Sequence, residues 1–267
     1  MTFTRTRASQ FLSRKILRAE TIAGGDLSAV KRLFVADGGT VIAKETPLAS
    51  AEAEMLAALS DTGAPAPAVL AIDHDLLLLQ DMPVGGRLAR SWVDLAHVLD
   101  HLHGASGSAY GWHRDYAFGR MPISNTESRD WPSFWGDHRL RCHLPFLDQG
   151  LAARVSALAD RLGDLLPAHP PAALLHGDLW GGNILVENDR ITALIDPACY
   201  YGDREVDFAM LSLFDGPPAV FYDACALSPG WEARQPIYRL WPLLVHLRLF
   251  GDSYRQRVME MLYACGV

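Results

Sequence analysis

Between Val30 and Gln80 the apolar residues come in short runs separated by turn residues, a strand pattern rather than a helical one. Residues 30–36, VKRLFVA, and 40–45, TVIAKE, read as two strands joined by Asp37-Gly38-Gly39, a hairpin turn. Residues 49–60 return to helical spacing and put Leu48, Glu52, Leu56 and Leu59 on one face. A Pro-rich break at 64–67 precedes two further strands, 68–73 and 76–80. The run Leu76-Leu77-Leu78-Leu79 fits a helix by composition, but its short length and flanking turn residues make it a buried strand. Ahead of these strands the pattern predicts a first amphipathic helix with Phe11, Leu12 and Ile16 on its inner face.

Beyond Gln80-Asp81-Met82-Pro83 and Gly85-Gly86 the pattern becomes mostly helical. Residues 91–103 carry a stripe of Leu95, Val98, Leu99 and Leu102, and 131–147 and 151–166 are further helices. Short strands interrupt around the segment 174–195, after which the chain returns to helix. The fold class this predicts is α+β and two-lobed: a small β-rich N-terminal lobe, 1–80, and a larger, mainly helical C-terminal lobe, 81–267. There is no internal repeat.

Composition narrows the function classes. At 267 residues, 49% hydrophobic and 21% charged, the chain has enough apolar residues for a sizeable core. A net charge of −7 argues against nucleic acid as a partner and suits a cationic substrate. No apolar run reaches the length of a membrane span, so no membrane partner is expected. The four cysteines, Cys142, Cys199, Cys225 and Cys265, are far apart, with no disulfide or zinc framework, and the expected location is a reducing cytoplasm. The opening residues are basic and rich in Ser and Thr, with no acid before Glu20, features shared by transit peptides; a first helix is the preferred reading.

The candidate chemistry is concentrated in residues 174–210. Asp178 and Asn183 fit the H-x-D-x-x-x-x-N spacing of phosphotransferase catalytic loops, where the Asp takes a hydroxyl proton and the Asn holds a metal ion. Asp196 follows after a turn and a strand, 190–195, at the position of a second metal-binding carboxylate, here in Asp-Pro rather than Asp-Phe-Gly. Oxygen ligands of this kind suit Mg2+. Lys44, in Val-Ile-Ala-Lys, sits where a strand lysine reaches nucleotide phosphates, and Glu52, an acid on an inward face, is its natural partner. Glu54 faces elsewhere and reads as solvated. The segment 23–28 is the candidate phosphate loop, with Gly24, Gly25 and Ser28 offering N–H and hydroxyl groups.

Each of these residues alone reads as a turn or surface residue; their joint spacing is what points to phosphoryl transfer. His176 reads as a structural residue bonding backbone. Asp207 reads as a cap or anchor for the catalytic loop. His97, His101 and His103 read as ordinary helix residues. Trp180, Tyr201, Trp241 and His246, with Tyr200, are the candidate substrate contacts. Only residues 197–206 separate Asp196 from the next helix, too few for a peptide-docking activation loop. That spacing favours a small acceptor, or a small adduct protruding from a protein.

The blocks HGDLWGGN, DPACYYGDREVDFAM, GWHRDYAFGRMPISN (111–125) and HLRLFGDSY (246–254) together resemble the fructosamine kinase (ketosamine-3-kinase) family, within the aminoglycoside phosphotransferase and protein-kinase-like group. The resemblance implies ATP and Mg2+ as cofactors and phosphorylation of the 3-hydroxyl of a ketoamine, free or on a protein side chain. It further implies Asp178 as base, Asn183 and Asp196 as magnesium ligands, Lys44 with Glu52 orienting phosphates, and backbone at Gln80, Asp81 and Met82 holding adenine. The sequence departs from the family pattern at Met55 and Gln80, where Gly and an acid are expected, and at YAFG (116–119), which replaces an Asn-containing sequence. The rival readings are an aminoglycoside, choline or other amino-alcohol kinase of the same fold, a non-catalytic nucleotide-binding scaffold, and, more distantly, a metal-dependent hydrolase.

Overall fold

The computed structural model describes residues 2–22 and 29–267. The candidate phosphate-loop residues Gly24, Gly25 and Ser28 lie outside the described residues. The elements of the first lobe are α1 (Thr2–Leu12), β1 (Ile16–Thr21), β2 (Ala29–Val35), β3 (Thr40–Glu45), α2 (Ala49–Asp61), β4 (Val69–Asp73) and β5 (Leu76–Gln80). The strands form one antiparallel sheet in the order β1-β2-β3-β5-β4.

Side-chain alternation decides how this sheet is covered. Leu33, Val35, Val41, Ala43, Leu76 and Leu78 share one cluster with Ile16 of β1 and Ala8 of α1. Leu77 and Leu79 point to the other face and pack with Ala49, Ala53 and Leu56 of α2. The four-leucine run is therefore a strand buried on both faces, which is why it lacks alternation. The same alternation turns Lys44 toward α2.

The expected first helix is shorter than the pattern suggested. Ser13 takes a left-handed φ of 52° and ends it, so Ile16 opens β1 instead of continuing the helical face. Phe11 is exposed, and Ala8 supplies the buried contact.

The second lobe is mainly helical: α3 (Trp92–Gly104), α4 (Trp131–Trp135), α5 (Gln149–Ala159), α6 (Leu162–Leu165), α7 (Glu205–Phe214), α8 (Ala219–Ala224), α9 (Trp231–Phe250) and α10 (Arg255–Ala264). Three small antiparallel pairs punctuate it: β6 (Tyr116–Phe118) with β7 (Met121–Ile123), β8 (Ala173–Leu175) with β11 (Tyr200–Gly202), and β9 (Ile184–Glu187) with β10 (Arg190–Leu194). The turn between β9 and β10 is Asn188-Asp189, both at positive φ, as a tight hairpin requires. The expected helix 131–147 is broken: α4 runs into a wide π turn, 136–140, and then a 3₁₀ stretch containing Pro145, which cannot continue an α-helix. The expected helix 151–166 is likewise split into α5 and α6.

Contacts at the lobe boundary and across it hold the two parts together. The N–H groups of Gly85 and Gly86 both donate to the Val186 carbonyl, at 3.0 and 2.8 Å. A Cβ on Gly86 would lie 2.6 Å from Val186 Cγ1, so the close approach needs glycine. Met55 of α2 is fully buried in the second lobe's core, and its sulfur accepts the Cys199 N–H. Glu54 is not simply solvated: it pairs with His113 and Arg114 of the second lobe. Among the described residues, no helix is long and apolar enough to cross a membrane.

Candidate active site

A cavity of about 670 Å³ opens between the lobes, lined on one side by Lys44 and Glu52 and on the other by Asp178, Asn183 and Asp196. Lys44 Nζ donates to Glu52 Oε1 and to Asp196 Oδ1, each at 2.8 Å. Both Lys44 and Glu52 are buried. Burial pulls the Lys44 ammonium down, but the two facing carboxylates more than offset it and leave its pKa above the ordinary lysine value. Burial pushes Glu52 up, and Lys44 opposes that push.

The loop bearing Asp178 is fixed from below. Asp207 of α7 accepts the backbone His176 N–H through Oδ2 at 2.9 Å and the Gly177 N–H through Oδ1 at 3.0 Å, and His103 Nε2 lies 2.9 Å from the same Oδ2. Burial alone would raise the Asp207 carboxyl; the His103 hydrogen bond and charge, the nearby His176 ring and the Gly177 N–H outweigh it and hold the pKa below the usual carboxylate range. Asp207 therefore anchors the loop from inside α7 rather than capping that helix; the Glu205 N–H at its start is taken by Asp203 Oδ1 at 3.0 Å. Burial lowers the His176 pKa, so its ring is neutral. Its Nδ1 accepts the Asp178 N–H at 3.3 Å, which leaves the proton on Nε2 to donate to the Ile195 carbonyl at 3.0 Å. His176 thus ties Asp178 to the strand end just before Asp196. Gly177 sits at φ +79°, and a Cβ there would meet the Ala198 carbonyl oxygen at 2.1 Å.

Asn183 Nδ2 donates to the Asp178 carbonyl at 2.9 Å and to Asp178 Oδ2 at 3.0 Å. With the amide nitrogen so committed, Asn183 Oδ1 is the atom left to accept or coordinate. Burial pushes the Asp178 carboxyl up to about 7; the Asn183 hydrogen bond opposes the rise, and the charges of Asp196 and Asp207 add to it. Among the described residues, no three His, Cys, Asp or Glu side chains come together as a protein-only metal site. The Asn183 and Asp196 oxygens beside Asp178 are hard donors, a set that fits Mg2+ completed by phosphate and water oxygens.

Of the expected substrate contacts, Trp180, Trp241 and His246 line the same cavity. Trp180 is 41% exposed, and its ring lies where a Cβ on Gly182 would stand, 2.2 Å away. The Phe214 ring meets both Trp180 and His246. Tyr201 does not line the cavity: its ring covers Gly107, whose added Cβ would lie 2.5 Å from it, and packs against Trp112. Gln80, Asp81 and Met82 are also outside the cavity lining. Asp81 is bound to Arg32 through Oδ2 at 2.6 Å, and the Gln80 N–H donates to the Ala68 carbonyl. Tyr116 and Phe118, noted in the sequence only as part of the departure YAFG and not as site residues, enter the cavity on a hairpin too short to show alternation. Sequence reasoning missed His103 and Asp215; Asp215 accepts the Gly181 N–H at 2.7 Å. No local pattern marks either residue.

With this geometry in view, the comparisons decide the family. The fructosamine kinase family model matches residues 5–265. The chain belongs to the fructosamine kinase family. It is 36% identical over 203 residues to the probable ketoamine kinase slr1563 of Synechocystis, covering 72% of this chain and 68% of that protein. It is 34% identical over 245 residues to the probable ketoamine kinase TTHA1179 of Thermus thermophilus, covering 86% and 87%. A crystal structure of a candidate fructosamine-3-kinase from Thermobifida fusca superposes with a TM-score of 0.90, at 29% identity over 99% of both chains. Aminoglycoside phosphotransferase APH(4)-Ia, at 18% identity and a TM-score of 0.69 over 99% of this chain and 97% of its own, shares the fold. This fructosamine kinase family member is thus an ATP-dependent phosphotransferase of the ketoamine kinase class, and ATP with Mg2+ are the cofactors that membership implies.

Proposed function

We propose that this protein transfers the γ-phosphoryl group of ATP to the 3-hydroxyl of a ketoamine, with Asp178 as general base. The observation that carries the reading is the convergence of Lys44, Glu52, Asp178, Asn183 and Asp196 on one cavity whose remaining wall mixes aromatic and aliphatic side chains. Asp178 accepts the acceptor hydroxyl's proton as that oxygen bonds to phosphorus. Its carboxyl is held by Asn183 through one oxygen, which leaves the other to face the hydroxyl. A pKa near 7 makes it a base matched to neutral pH. Asn183 Oδ1 and Asp196 would hold Mg2+, which when bound neutralises charge on the transferring phosphoryl group. Lys44, kept in place by Glu52, aims its ammonium at the phosphates.

Nucleotide binding falls in this reading to the lobe 1–80 and its boundary, with Gly24, Gly25 and Ser28 near the phosphates and backbone at Gln80, Asp81 and Met82, where the lobes meet, near adenine. The lobe 81–267 supplies catalysis and the acceptor site, where Trp180, Trp241 and His246 contact the substrate. The segment after Asp196 supports a small acceptor. It enters β11, is paired in the core with β8, and reaches α7 with no loop able to dock a peptide. A glycated protein side chain that protrudes as a small adduct fits the same space. A reducing cytoplasm suits the four unpaired cysteines.

The test is ADP release with ATP and Mg2+, comparing fructoselysine, ribuloselysine, an aminoglycoside and choline. Turnover on a ketoamine alone is the expected result. Turnover only on choline or the aminoglycoside would overturn the substrate, and no transfer to any acceptor with ATP still bound would favour a scaffold.

A further inference from the structure

Arg139, in the π turn that follows α4, is fully buried. Among the described residues, no carboxylate pairs with it. Its guanidinium donates through Nη1 to the Ser124 carbonyl at 2.8 Å and the His138 carbonyl at 3.2 Å, and through Nη2 to Asn125 Oδ1 at 2.7 Å. Its Nε–H has no partner. The charge is instead faced by three aromatic rings, Tyr200 at 4.2 Å, Phe134 at 4.8 Å and Trp241 at 4.9 Å from the guanidinium carbon. Burying a cation without an anion is costly, and a desolvated cation–π contact offsets only about 2 kcal/mol each. The groups it joins indicate what holds it there.

Ser124 and Asn125 directly follow β7, at the base of the β6–β7 hairpin that carries Tyr116 and Phe118 into the cavity. Asn125 closes that base: its N–H donates to Asp115 Oδ1 at 2.8 Å and its Nδ2 to the Arg114 carbonyl at 3.3 Å, both just before β6. Trp241, on α9, forms the wall facing the hairpin, and the Phe118 and Trp241 rings lie 6.2 Å apart. One guanidinium therefore grips the base of the hairpin and the face of the opposing wall. It touches none of Lys44, Asp178, Asn183 or Asp196.

We infer that Arg139 is a positioning residue that sets the width and orientation of the acceptor half of the cavity, through the hairpin on one side and Trp241 on the other. The word acceptor rests on the function proposed above; the clamp itself rests on the contacts. A lysine cannot replace it, because a point charge on a flexible stem cannot donate in two fixed directions while lying flat against rings.

The experiment is Arg139→Lys, read by amide hydrogen exchange along the whole chain and by separate KM values for ATP and for a ketoamine that wild type turns over. Exchange in residues 116–125 should rise about tenfold, the scale of losing a hydrogen bond to a charged group, while the strands β2, β3 and β5 and the loop 176–178 stay protected. The acceptor KM should rise by a similar factor, with the ATP KM within about twofold of wild type and kcat moved less than the acceptor KM. Unchanged exchange in the hairpin, or a uniform rise across the chain, would overturn the inference, as would an unchanged acceptor KM with a fallen kcat. Should Arg139→Lys fail to fold, Arg139→Gln, a shorter side chain that cannot reach both the Ser124 carbonyl and Asn125 Oδ1, is held to the same outcomes. If wild type accepts no ketoamine, the proposed substrate fails, and the exchange measurement still decides the clamp.

Discussion

Replacing Asp178 with Asn should abolish most activity and at the same time stabilise the protein above neutral pH. The carboxyl's pKa is pushed from 3.8 up to about 7, mainly by burial. Its folded pKa lies above its unfolded value, so between about pH 4 and pH 7 the folded chain keeps a proton that the unfolded chain has lost. Stability from this group is therefore greatest below about pH 4, falls as pH rises, and levels off above about pH 7. Roughly three units at about 1.4 kcal/mol each set a ceiling of about 4 kcal/mol on the penalty wild type carries at pH 8. The Asn side chain has no charge to bury and keeps an oxygen to accept from Asn183 Nδ2. Urea unfolding without nucleotide or Mg2+, at pH 5 and pH 8, should show the variant gaining on wild type by about 1–3 kcal/mol between the two, because only about two of the three units lie above pH 5. In the ADP-release assay its kcat should fall on the order of 10²–10⁴-fold. A variant less stable than wild type at pH 8, or a gap that does not move with pH, would refute the burial argument.

Other expectations follow from the same contacts. Glu52→Ala leaves Lys44 with only Asp196 and should destabilise the protein by about 2–4 kcal/mol in urea unfolding while raising the ATP KM; a neutral effect would show that the buried pair is not structural. Gly177→Ala forces a side chain into a left-handed position against the Ala198 carbonyl and should cost about 3 kcal/mol or more, with activity lost; a melting temperature equal to wild type would contradict that geometry. Trp180→Ala, at an exposed ring, should leave the melting temperature within about 2 °C and raise the acceptor KM without changing the ATP KM; a matched rise in both would remove Trp180 from the acceptor site. Wild-type kcat/KM for the acceptor should rise with pH through about 7 as Asp178 loses its proton, and the Asn variant should lack that limb.

What was legible in the sequence is what is local. The β3 lysine, the acid on the inward face of α2 and the Asp178–Asn183–Asp196 spacing are each set by a few neighbouring residues, and the fold brings them to one cavity. The leucine run was readable as a strand because length and flanks outweighed composition. The missed features are long-range. Strand β1 shows one buried side chain in six, so it has no alternation to detect. His103 looks like its neighbours His97 and His101 until α3 is packed against the loop anchored by Asp207. Tyr201 sits in a family-like block, yet β11 turns its ring toward Gly107 and away from the cavity, a choice made by strand pairing. The break at 136–146 has one visible sign, Pro145; the π turn before it was hidden because apolar spacing continues while the backbone pattern changes.

The central claim is phosphoryl transfer to the 3-hydroxyl of a ketoamine by the Asp178 site. The most direct measurement is phosphorus and proton NMR of the product formed from ATP, Mg2+ and a ketoamine. Transfer by this site gives a phosphate coupled to the proton on carbon 3 of the sugar, formed by wild type and not by Asp178→Asn. Phosphate on another hydroxyl, or the same product at wild-type rate from the Asn variant, would contradict it.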